Sequence, residues 1–324
     1  MKIGILSIGP NLYSTRRLVE AAKKRGHEVV VIDHSRCHLV MEKGKPAVHL
    51  NGEKLDDIDI LIPRIGASLT QFGAAVIQHF DIQGVPSILS SIALIRSRDK
   101  LRSLQLISKS GIGIPKSVFA RHPKAKDVES LINEVGGTPV ILKLLEGTHG
   151  TGVIKADSTS AAKSAVEAFS GIKVDLIVQQ FIEEAKGKDI RVFVVDEVVV
   201  GAMERTSAEG EFRSNLHKGG TAANIELDEK TTSAAIESAR LLGLSVAGVD
   251  LVTSNKGPLV LEVNSSPGLQ GIENATKIDI ADKIIELAEK KFNKKNKLKT
   301  KSKEKKKKKK LKQTIKKQIQ KLMI

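Results

Sequence analysis

Short apolar runs and stretches of helical spacing alternate along the first part of the chain. The apolar runs predict strands, and the stretches with apolar residues three or four positions apart predict helices. A regular alternation of strand and helix is typical of an open, parallel α/β sheet. The predicted elements up to Phe80 are strands at Ile3–Ser7, Glu28–Asp33 and Ile58–Ile62, and helices at Ser14–Arg25 and Leu69–Phe80.

A second unit follows a long helical stretch, Ser90–Ser110, which Gly111 brings to an end. Residues 117–176 form a smaller α/β unit in which the strand Pro139–Leu145 runs directly into a glycine-rich loop, 146–152. A strand follows this loop and no GK[ST] sequence occurs, whereas a Walker P-loop leads into a helix. The loop is therefore of a different kind from a P-loop.

The third unit ends in two apolar runs separated by a turn. The runs Val249–Thr253 and Leu259–Val263 flank a turn at 254–258, which is the pattern of an antiparallel hairpin. The other predicted elements of this unit are strands at Leu176–Gln180, Ile190–Val195 and Val198–Met203, a polar loop at 205–220, and helices at Thr231–Leu242 and Asp279–Phe292.

Three oxygen-bearing side chains lie within the strands of this hairpin. Asp250 is in the first run, and Glu262 and Asn264 stand two apart in the second, so they share a face. Two carboxylates in apolar strands repel each other and are costly to desolvate unless a cation lies between them. Mg²⁺ takes oxygen ligands of this kind. A metal site is therefore one interpretation, and two solvent-facing acids at strand ends are the other.

Lys143 lies inside an apolar strand just before the glycine-rich loop. A buried lysine is unfavourable without an anion. Backbone N–H groups of a glycine loop can approach phosphate oxygens closely because glycine has no Cβ. Alone, such a loop is more often a plain turn, but with Lys143 and the hairpin acids it favours a nucleotide–metal site for phosphoryl transfer.

Other cations are less specific when taken alone. Lys100, in Arg98-Asp99-Lys100, reads as a solvent-facing helix lysine. Arg205 and the segment Arg213-Ser214-Asn215 carry planar donors that suit carboxylates and phosphates. An ordinary surface loop is the alternative for this region.

The formal net charge of +16 belongs to one end of the chain. Residues 293–324 hold 16 lysines and a single acid, whereas residues 1–292 are close to neutral. A nucleic-acid partner would therefore concern the tail and not the folded body. Six consecutive lysines at 305–310 predict a solvated, disordered segment.

Composition also excludes several classes of protein. No apolar run reaches 18 residues and no signal-peptide pattern occurs, so we expect a cytoplasmic protein without a membrane partner. Cys37 is the single cysteine, which excludes an intramolecular disulfide and a cysteine-rich zinc site.

Five motifs occur along the chain in a recognisable order. They are Asp99-Lys100, VILKLLEGTHGTGV, VQQFIEEAKGKDIRVFVV, FRSNLHKGG and GVDLV…LEVNSSPG. This order resembles the ATP-grasp superfamily and, within it, the RimK family of glutamate ligases that modify ribosomal protein S6. The similarity runs from residue 1 to about 290 and includes Pro63-Arg64-Ile65-Gly66, but not the lysine tail.

The resemblance implies a role for each matching residue. At Gln180-Phe181 this chain departs from the family, where an acidic residue followed by Tyr is common, and the adenine contact is expected to survive because backbone groups often make it. The implied set is Lys100 and Lys143 on the ATP phosphates, Gly147, Gly150 and Gly152 in the covering loop, Gln180 and Phe181 at adenine, Asp189 at the nucleotide, Arg205, Arg213 and Asn215 as catalytic residues, Arg213, Ser214 and Asn215 also as ATP contacts, and Asp250, Glu262 and Asn264 on two Mg²⁺ or Mn²⁺ ions.

The resemblance also implies the architecture, an α/β (α+β ATP-grasp) fold. We expect an N-terminal pre-ATP-grasp domain with an open α/β sheet, two ATP-grasp subdomains and a disordered basic tail. The expected boundaries are 1–95 for the first domain, 96–176 for the linker helix and small lid domain, 177–292 for the large domain with the metal site, and 293–324 for the tail.

The implied activity is ATP-dependent joining of a carboxylate to an amine. An acceptor carboxylate is phosphorylated to an acylphosphate, which the amine of L-glutamate then attacks. The loop SNLHKGG favours the C-terminus of ribosomal protein S6 as the acceptor. The alternatives are a ligase acting on a small cofactor or a carrier protein and, from another class, a protein that binds RNA or the ribosome through its tail. A homo-oligomer is compatible with the sequence.

Overall fold

A parallel three-stranded sheet forms the first domain. The computed structural model describes residues 1–145, 152–170, 175–209, 211–214 and 219–297. The central strand β1 pairs in parallel with β2 and β6, so the predicted α/β class is confirmed. The elements up to residue 109, of which α3 and α4 form the linker to the second unit, are β1 (Lys2–Leu6), α1 (Tyr13–Lys24), β2 (Glu28–Ile32), β3 (Cys37–Val40), β4 (Ala47–Leu50), β5 (Glu53–Lys54), β6 (Ile60–Pro63), α2 (Thr70–Ile82), α3 (Ser91–Arg98) and α4 (Lys100–Lys109).

The stretch from Ser90 to Ser110 is two helices instead of the predicted single one. Asp99 separates them with extended dihedral angles, φ −82° and ψ 101°. Its carboxylate accepts a hydrogen bond from the backbone N–H of Arg102 at 3.0 Å and so caps α4. Lys100 therefore stands at the first position of a helix.

An antiparallel sheet with the strand order β7-β10-β8-β9 forms the second unit. The sequence analysis places Leu176–Gln180 in the third unit, but this strand pairs with β7 and β8 and belongs here. The sheet packs on its own apolar cluster, which includes Ile132, Leu142 and Val178. The elements are β7 (Ser117–Arg121), α5 (Val128–Val135), β8 (Val140–Leu144), β9 (Val153–Ala156), α6 (Thr159–Ser170) and β10 (Asp175–Gln180).

A five-stranded antiparallel sheet forms the third unit, with the order β13-β12-β11-β14-β15. Two apolar clusters join this sheet to the first domain: one contains Leu94 and Val249, the other Ile5 and Phe193. The first and third units therefore share their cores. The elements are β11 (Lys188–Val195), β12 (Val198–Thr206), β13 (Thr221–Asn224), α7 (Glu229–Leu242), β14 (Val246–Ser254), β15 (Gly257–Asn264), α8 (Leu269–Thr276) and a last helix, α9, over 280–297.

Helix α9 extends beyond the Phe292 end expected from the sequence. Its apolar face, including Ile284 and Ala288, is buried, and Lys291 donates to the Ser245 hydroxyl at 2.7 Å. Residues 298–324, which carry most of the lysine tail, lie outside the described residues. Within the described part of the chain, no helix is long and apolar enough to cross a membrane.

Candidate active site

The predicted hairpin exists as β14 and β15, and its register brings the oxygen-bearing residues together. Asp250 pairs directly with Glu262, and Gly248 pairs with Asn264. Paired residues of antiparallel strands point to the same face, so all three side chains share that face. Asp250 is 7% exposed, whereas Glu262 is exposed. The oxygen-bearing side chains of the hairpin therefore range from the buried Asp250 to the exposed Glu262.

Asp250 lies within a row of alternating charges that runs across three strands. Arg191 on β11 donates to Asp250 at 2.7 Å and 2.5 Å. Arg205 on β12 donates to Asp189 at 2.6 Å, and a second nitrogen lies 3.2 Å from Asp250. Asp189 and Arg191 stand two apart on β11, and their cross-strand partners are Arg205 and Asp250. The four side chains therefore form one row, which we name the charge row.

Electrostatics favours the charged forms of Asp250 and Arg205, whereas burial raises the pKa of Asp189. Burial opposes the charge of Asp250, but Arg191 and Arg205 outweigh it and hold the pKa of that carboxyl below its usual range. Burial likewise opposes the charge of Arg205, and the carboxylates of Asp250 and Asp189 raise its pKa above the usual range. Within the row, Arg205 is engaged by two carboxylates and holds Asp250 in place.

Two of these positions differ from the sequence analysis. Arg205 belongs to β12 and is 4% exposed, so the polar loop expected at 205–220 begins two residues later, after the strand's last residue, Thr206. Arg191 was not among the predicted site residues. The signal for it was a charged residue inside the apolar run Ile190–Val195, two positions after Asp189.

Two lysines approach the hairpin from the second unit and its linker. Lys143 is on β8, and Lys100 donates from the start of α4 to the carbonyl oxygens of Leu144 at 2.9 Å and Leu145 at 3.2 Å. Burial lowers the pKa of Lys143 to about 8, with Lys100 acting in the same direction and Glu262 and Asp250 against it. The charge of Glu262, on the third unit, acts on both lysines.

The glycine-rich loop is described only at its end. Gly152 has φ 76°, a left-handed value that favours glycine, and a Cβ there would meet Leu144 at 2.9 Å. Its carbonyl accepts from the N–H of Leu144 at 2.8 Å, which closes the β8–β9 hairpin. Gly147 and Gly150 lie outside the described residues, as does Asn215.

Gln180 and Phe181 lie where β10 leads towards β11. The Gln180 side chain is exposed, and its backbone N–H donates to Lys116 at 2.8 Å. Lys155 Nζ stands 4.7 Å from the centre of the Phe181 ring, within cation–π range. The pair therefore offers an aromatic surface with a cation over it, at the connection between two sheets.

Arg213 and Ser214 lie beside the charge row. Arg213 donates to Glu211 at 3.0 Å and 2.8 Å, and these hydrogen bonds lower the pKa of Glu211 to about 2. Ser214 is 7% exposed and hydrogen-bonds to Asp189. Arg213 thus already holds one carboxylate, as its planar fork allows.

The hairpin can be tested for its fit to a divalent cation. Among the described residues, no group of three or more His, Cys, Asp or Glu side chains could hold a metal ion. Asp250 and Glu262 supply two carboxylates, and Asn264 supplies an amide oxygen. Mg²⁺ is commonly bound by one or two carboxylates with phosphate oxygens completing its shell. The donor set therefore fits a cation that arrives with a phosphate ligand.

Family models match almost the whole folded body. The RimK PreATP-grasp domain matches residues 1–94, and the RimK-like ATP-grasp domain matches residues 97–288. A protein of Vibrio cholerae named probable alpha-L-glutamate ligase is 54% identical over 290 residues, covering 90% of this chain and 96% of its own. The protein of the same name from Aliivibrio fischeri is 55% identical over the same shares.

Solved structures share the fold at low identity. The ATP-grasp ligase PsnB, in complex with a phosphomimetic variant of its minimal precursor, Mg and ADP, aligns with a TM-score of 0.70 at 21% identity, covering 90% of this chain and 98% of its own. A D-alanine–D-alanine ligase from Bacillus anthracis aligns with a TM-score of 0.66 at 18% identity, covering 92% and 99%.

Proposed function

Because the chain belongs to the RimK family of ATP-grasp ligases, we propose that it adds L-glutamate to the C-terminal carboxylate of a protein acceptor, with ribosomal protein S6 as the expected acceptor. The names of the curated relatives support glutamate as the amino acid. The observation that carries the proposal is the place at the end of β8 where Lys100 and Lys143 come together under the influence of the Glu262 charge. Cations face a carboxylate there, as a metal–triphosphate complex requires.

The chemistry proceeds in two steps. A carboxylate oxygen of the acceptor attacks the γ-phosphorus of ATP, the bond to the bridging oxygen breaks, and ADP leaves. The glutamate nitrogen then attacks the acyl carbon, the bond to the phosphate oxygen breaks, and phosphate and a proton are released. Phosphorylation is needed because a free carboxylate has no good leaving group. The reaction needs positioning and charge neutralisation more than a covalent enzyme nucleophile.

The predicted site residues that the structure describes have the following parts in this proposal. Lys100 and Lys143 bind the phosphates, and Gln180-Phe181 lies against adenine. Two Mg²⁺ or Mn²⁺ ions would be held by Asp250, Glu262 and Asn264, and a bound ion supplies charge neutralisation at the phosphates. Arg205 keeps Asp250 in position, and Arg213 with Ser214 binds ATP and a substrate carboxylate once Glu211 is displaced.

Mass spectrometry of intact acceptors tests the reaction. We expect incubation with ATP, Mg²⁺ and L-glutamate to add whole glutamyl units to ribosomal protein S6. A small cofactor and an acidic carrier protein, offered in parallel, test the other acceptors. If neither S6 nor another protein gains glutamyl mass steps, the proposal is overturned.

Substitution of Glu262 tests the metal assignment. Glu262→Ala should abolish ATP turnover. The protein should stay folded, because the Glu262 side chain is exposed and its loss removes no core contact. Glu204→Ala is the matched control, since Glu204 lies on a strand of the same sheet and pairs with Lys188 at 2.7 Å. A normal ligation rate in Glu262→Ala would show that this carboxylate holds no metal.

A further inference from the structure

Two neighbouring arginines lie where the first domain meets the end of β15. Arg64 follows β6 and donates to the carbonyl oxygens of Pro267 at 2.6 Å and Ser266 at 3.4 Å. Arg98 ends α3 and donates to the carbonyl of Ile65 at 2.7 Å. Neither guanidinium has a carboxylate within 4 Å among the described residues. Both are held by backbone oxygens alone.

This arrangement leaves the two guanidinium groups without a carboxylate in direct contact. Burial and the charge of Arg98 lower the pKa of Arg64 to about 10. Other shielded arginines of this chain have carboxylate partners: Arg205 pairs with Asp189, and Arg17 pairs with Glu273. Two adjacent guanidinium groups are costly to bury unless an anion joins them.

Unused donors accompany this charge. Nε of Arg98 and Oγ of Ser266 are buried and have no hydrogen-bond partner in the described part of the chain. Oγ of Ser265 is also unpartnered, but Ser265 and Arg64 border a cavity of about 10 Å³, which has room for about one water molecule. We therefore leave Ser265 out of the set.

The pair borders the candidate active site. Ser266 follows Asn264 by two residues, and α3 and α4 both pack against β15. The charge of Glu262 acts on Arg98 as it acts on Lys100. An anion between the two arginines would therefore lie next to the candidate active site, where α3 packs against β15.

We propose that Arg64, Arg98 and the Ser266 hydroxyl form a subsite for a carboxylate of the substrate that does not react. This inference rests on the proposed function and deepens it. Guanidinium forks bind carboxylates through paired hydrogen bonds, which a lysine ammonium does not reproduce. The carboxylate comes from free glutamate, whose amine must be aimed at the acylphosphate. The other source of the same chemistry is an acidic side chain of the acceptor.

Steady-state kinetics of Arg98→Lys and Arg64→Lys test the subsite. We expect KM for L-glutamate to rise about tenfold or more, because charge-assisted hydrogen bonds are lost, while KM for ATP stays within about twofold. Ser266→Ala removes only a hydroxyl and should raise the same KM by a smaller factor. Arg17→Lys is the matched control, since Arg17 also joins the first and third units but has carboxylate partners.

Equilibrium binding supplies a readout that does not need turnover. We expect calorimetric titration of L-glutamate into the Mg–ADP complex to show binding that Arg98→Lys weakens and Arg17→Lys does not. If KM for the protein acceptor rises instead of KM for glutamate, the subsite holds an acceptor carboxylate. If both KM values and glutamate affinity stay normal while thermal stability falls, the arginines only brace the loop and the subsite is refuted. Absence of ligation by the wild-type protein, with glutamate binding intact, would refute the proposed function alone.

Discussion

Lys143 is a residue whose charge depends on pH a little above neutrality. Burial lowers its pKa to about 8, and a bound triphosphate would raise that pKa again. If Lys143 binds the phosphates as proposed, affinity for ATP is complete well below pH 8 and falls as the free lysine deprotonates above it. We expect the Kd for ATP to rise about tenfold between pH 7 and pH 9, measured calorimetrically at constant ionic strength.

A matched pair of variants isolates this effect. The arginine of Lys143→Arg stays charged from pH 7 to pH 9, so the pH dependence of the Kd for ATP should fall by the equivalent of about one proton. Lys109→Arg changes an exposed lysine at the end of α4 and should behave as wild type. Phosphate esters are fully ionised above pH 8, so ATP itself adds no slope there. A Kd that is constant from pH 7 to pH 9 would show that Lys143 does not meet the phosphates.

Asp250 and Glu262 are cross-strand partners that contribute differently to the free energy of unfolding. Asp250→Asn leaves Arg191 and Arg205 with too little negative charge in a buried place, so we expect the free energy of unfolding to fall by about 3 kcal/mol. Glu262→Gln changes an exposed side chain and should alter it by less than about 0.5 kcal/mol. Urea unfolding measures the difference, and both variants should lose ATP turnover. Equal stabilities would show that the charge row does not stabilise the fold.

Sequence reasoning finds residues whose neighbours in the chain make them unusual. Asp250, Glu262 and Lys143 stand out as charges within apolar runs, and the structure pairs Asp250 with Glu262 where the charges of both act on Lys143. Arg191 is equally unusual, but its meaning comes from Asp250, 59 positions away, and no local pattern reports that pairing. Arg205 was placed in a loop for the same reason, because the partner that keeps it on β12 is in another strand.

At the scale of elements, the cap between α3 and α4 lies in a sequence that has the pattern of a helix interior. Apolar residues continue at helical spacing through this stretch, and neither Gly nor Pro interrupts it. Aspartate can compete with the helix by bonding to nearby backbone N–H groups, and Asp99 does so at Arg102. The break places Lys100 in the first turn of α4, where its ammonium group donates to the Leu144 carbonyl at the end of β8.

Replacing this cap should affect both stability and ligand binding. Asp99→Ala removes the cap of α4, so we expect a loss of about 1 kcal/mol and a weaker affinity for ATP because Lys100 is no longer aimed. Asp228→Ala is the control, since Asp228 caps α7 through the N–H of Thr231 at 2.6 Å. It should lose similar stability and keep its ATP affinity. Equal ATP affinities in the two variants would contradict the positioning role of Asp99.

At the scale of the whole molecule, ion pairs join the first domain to the C-terminal helices. Arg25 reaches Glu289 at 2.7 Å and Asp282 at 3.1 Å, and Arg17 reaches Glu273 at 3.1 Å. The partners are about 260 positions apart, so the sequence shows the two helices but not their contact. Parallel strands and apolar faces were predictable from local periodicity, whereas the way the units join depends on such distant pairs.

Glu289 gives these contacts a pH dependence. Hydrogen bonds from Arg25 lower its pKa to about 2, so its contribution is complete above the unfolded-state pKa, near 4.5, and is lost as the pH falls towards 2. After allowance for solvent screening we expect Glu289→Gln to lower the free energy of unfolding by about 1–2 kcal/mol at pH 7. The difference from wild type should shrink between pH 5 and pH 3 in urea titrations. Glu286→Gln is the control, because Glu286 pairs with a more exposed lysine. A difference in the free energy of unfolding between wild type and Glu289→Gln that does not change with pH would contradict this assignment.

The lysine tail adds a charge that the folded body lacks. Residues 298–324 contain thirteen lysines and one glutamate, and a chain ending at residue 297 keeps all of α9 that the structure describes. We expect this truncated chain to retain ATP-dependent ligation but to bind single-stranded RNA more weakly. If five tail lysines contact phosphates, the slope of log K against log salt should differ by about 3.5 between the two chains. A full-length chain with glutamine at 305–310 separates charge from length and should lie between them. Equal RNA affinities for the full and truncated chains from 50 to 200 mM salt would show that the tail holds no polyanion, and the ligase would then have to find its acceptor through the folded body alone.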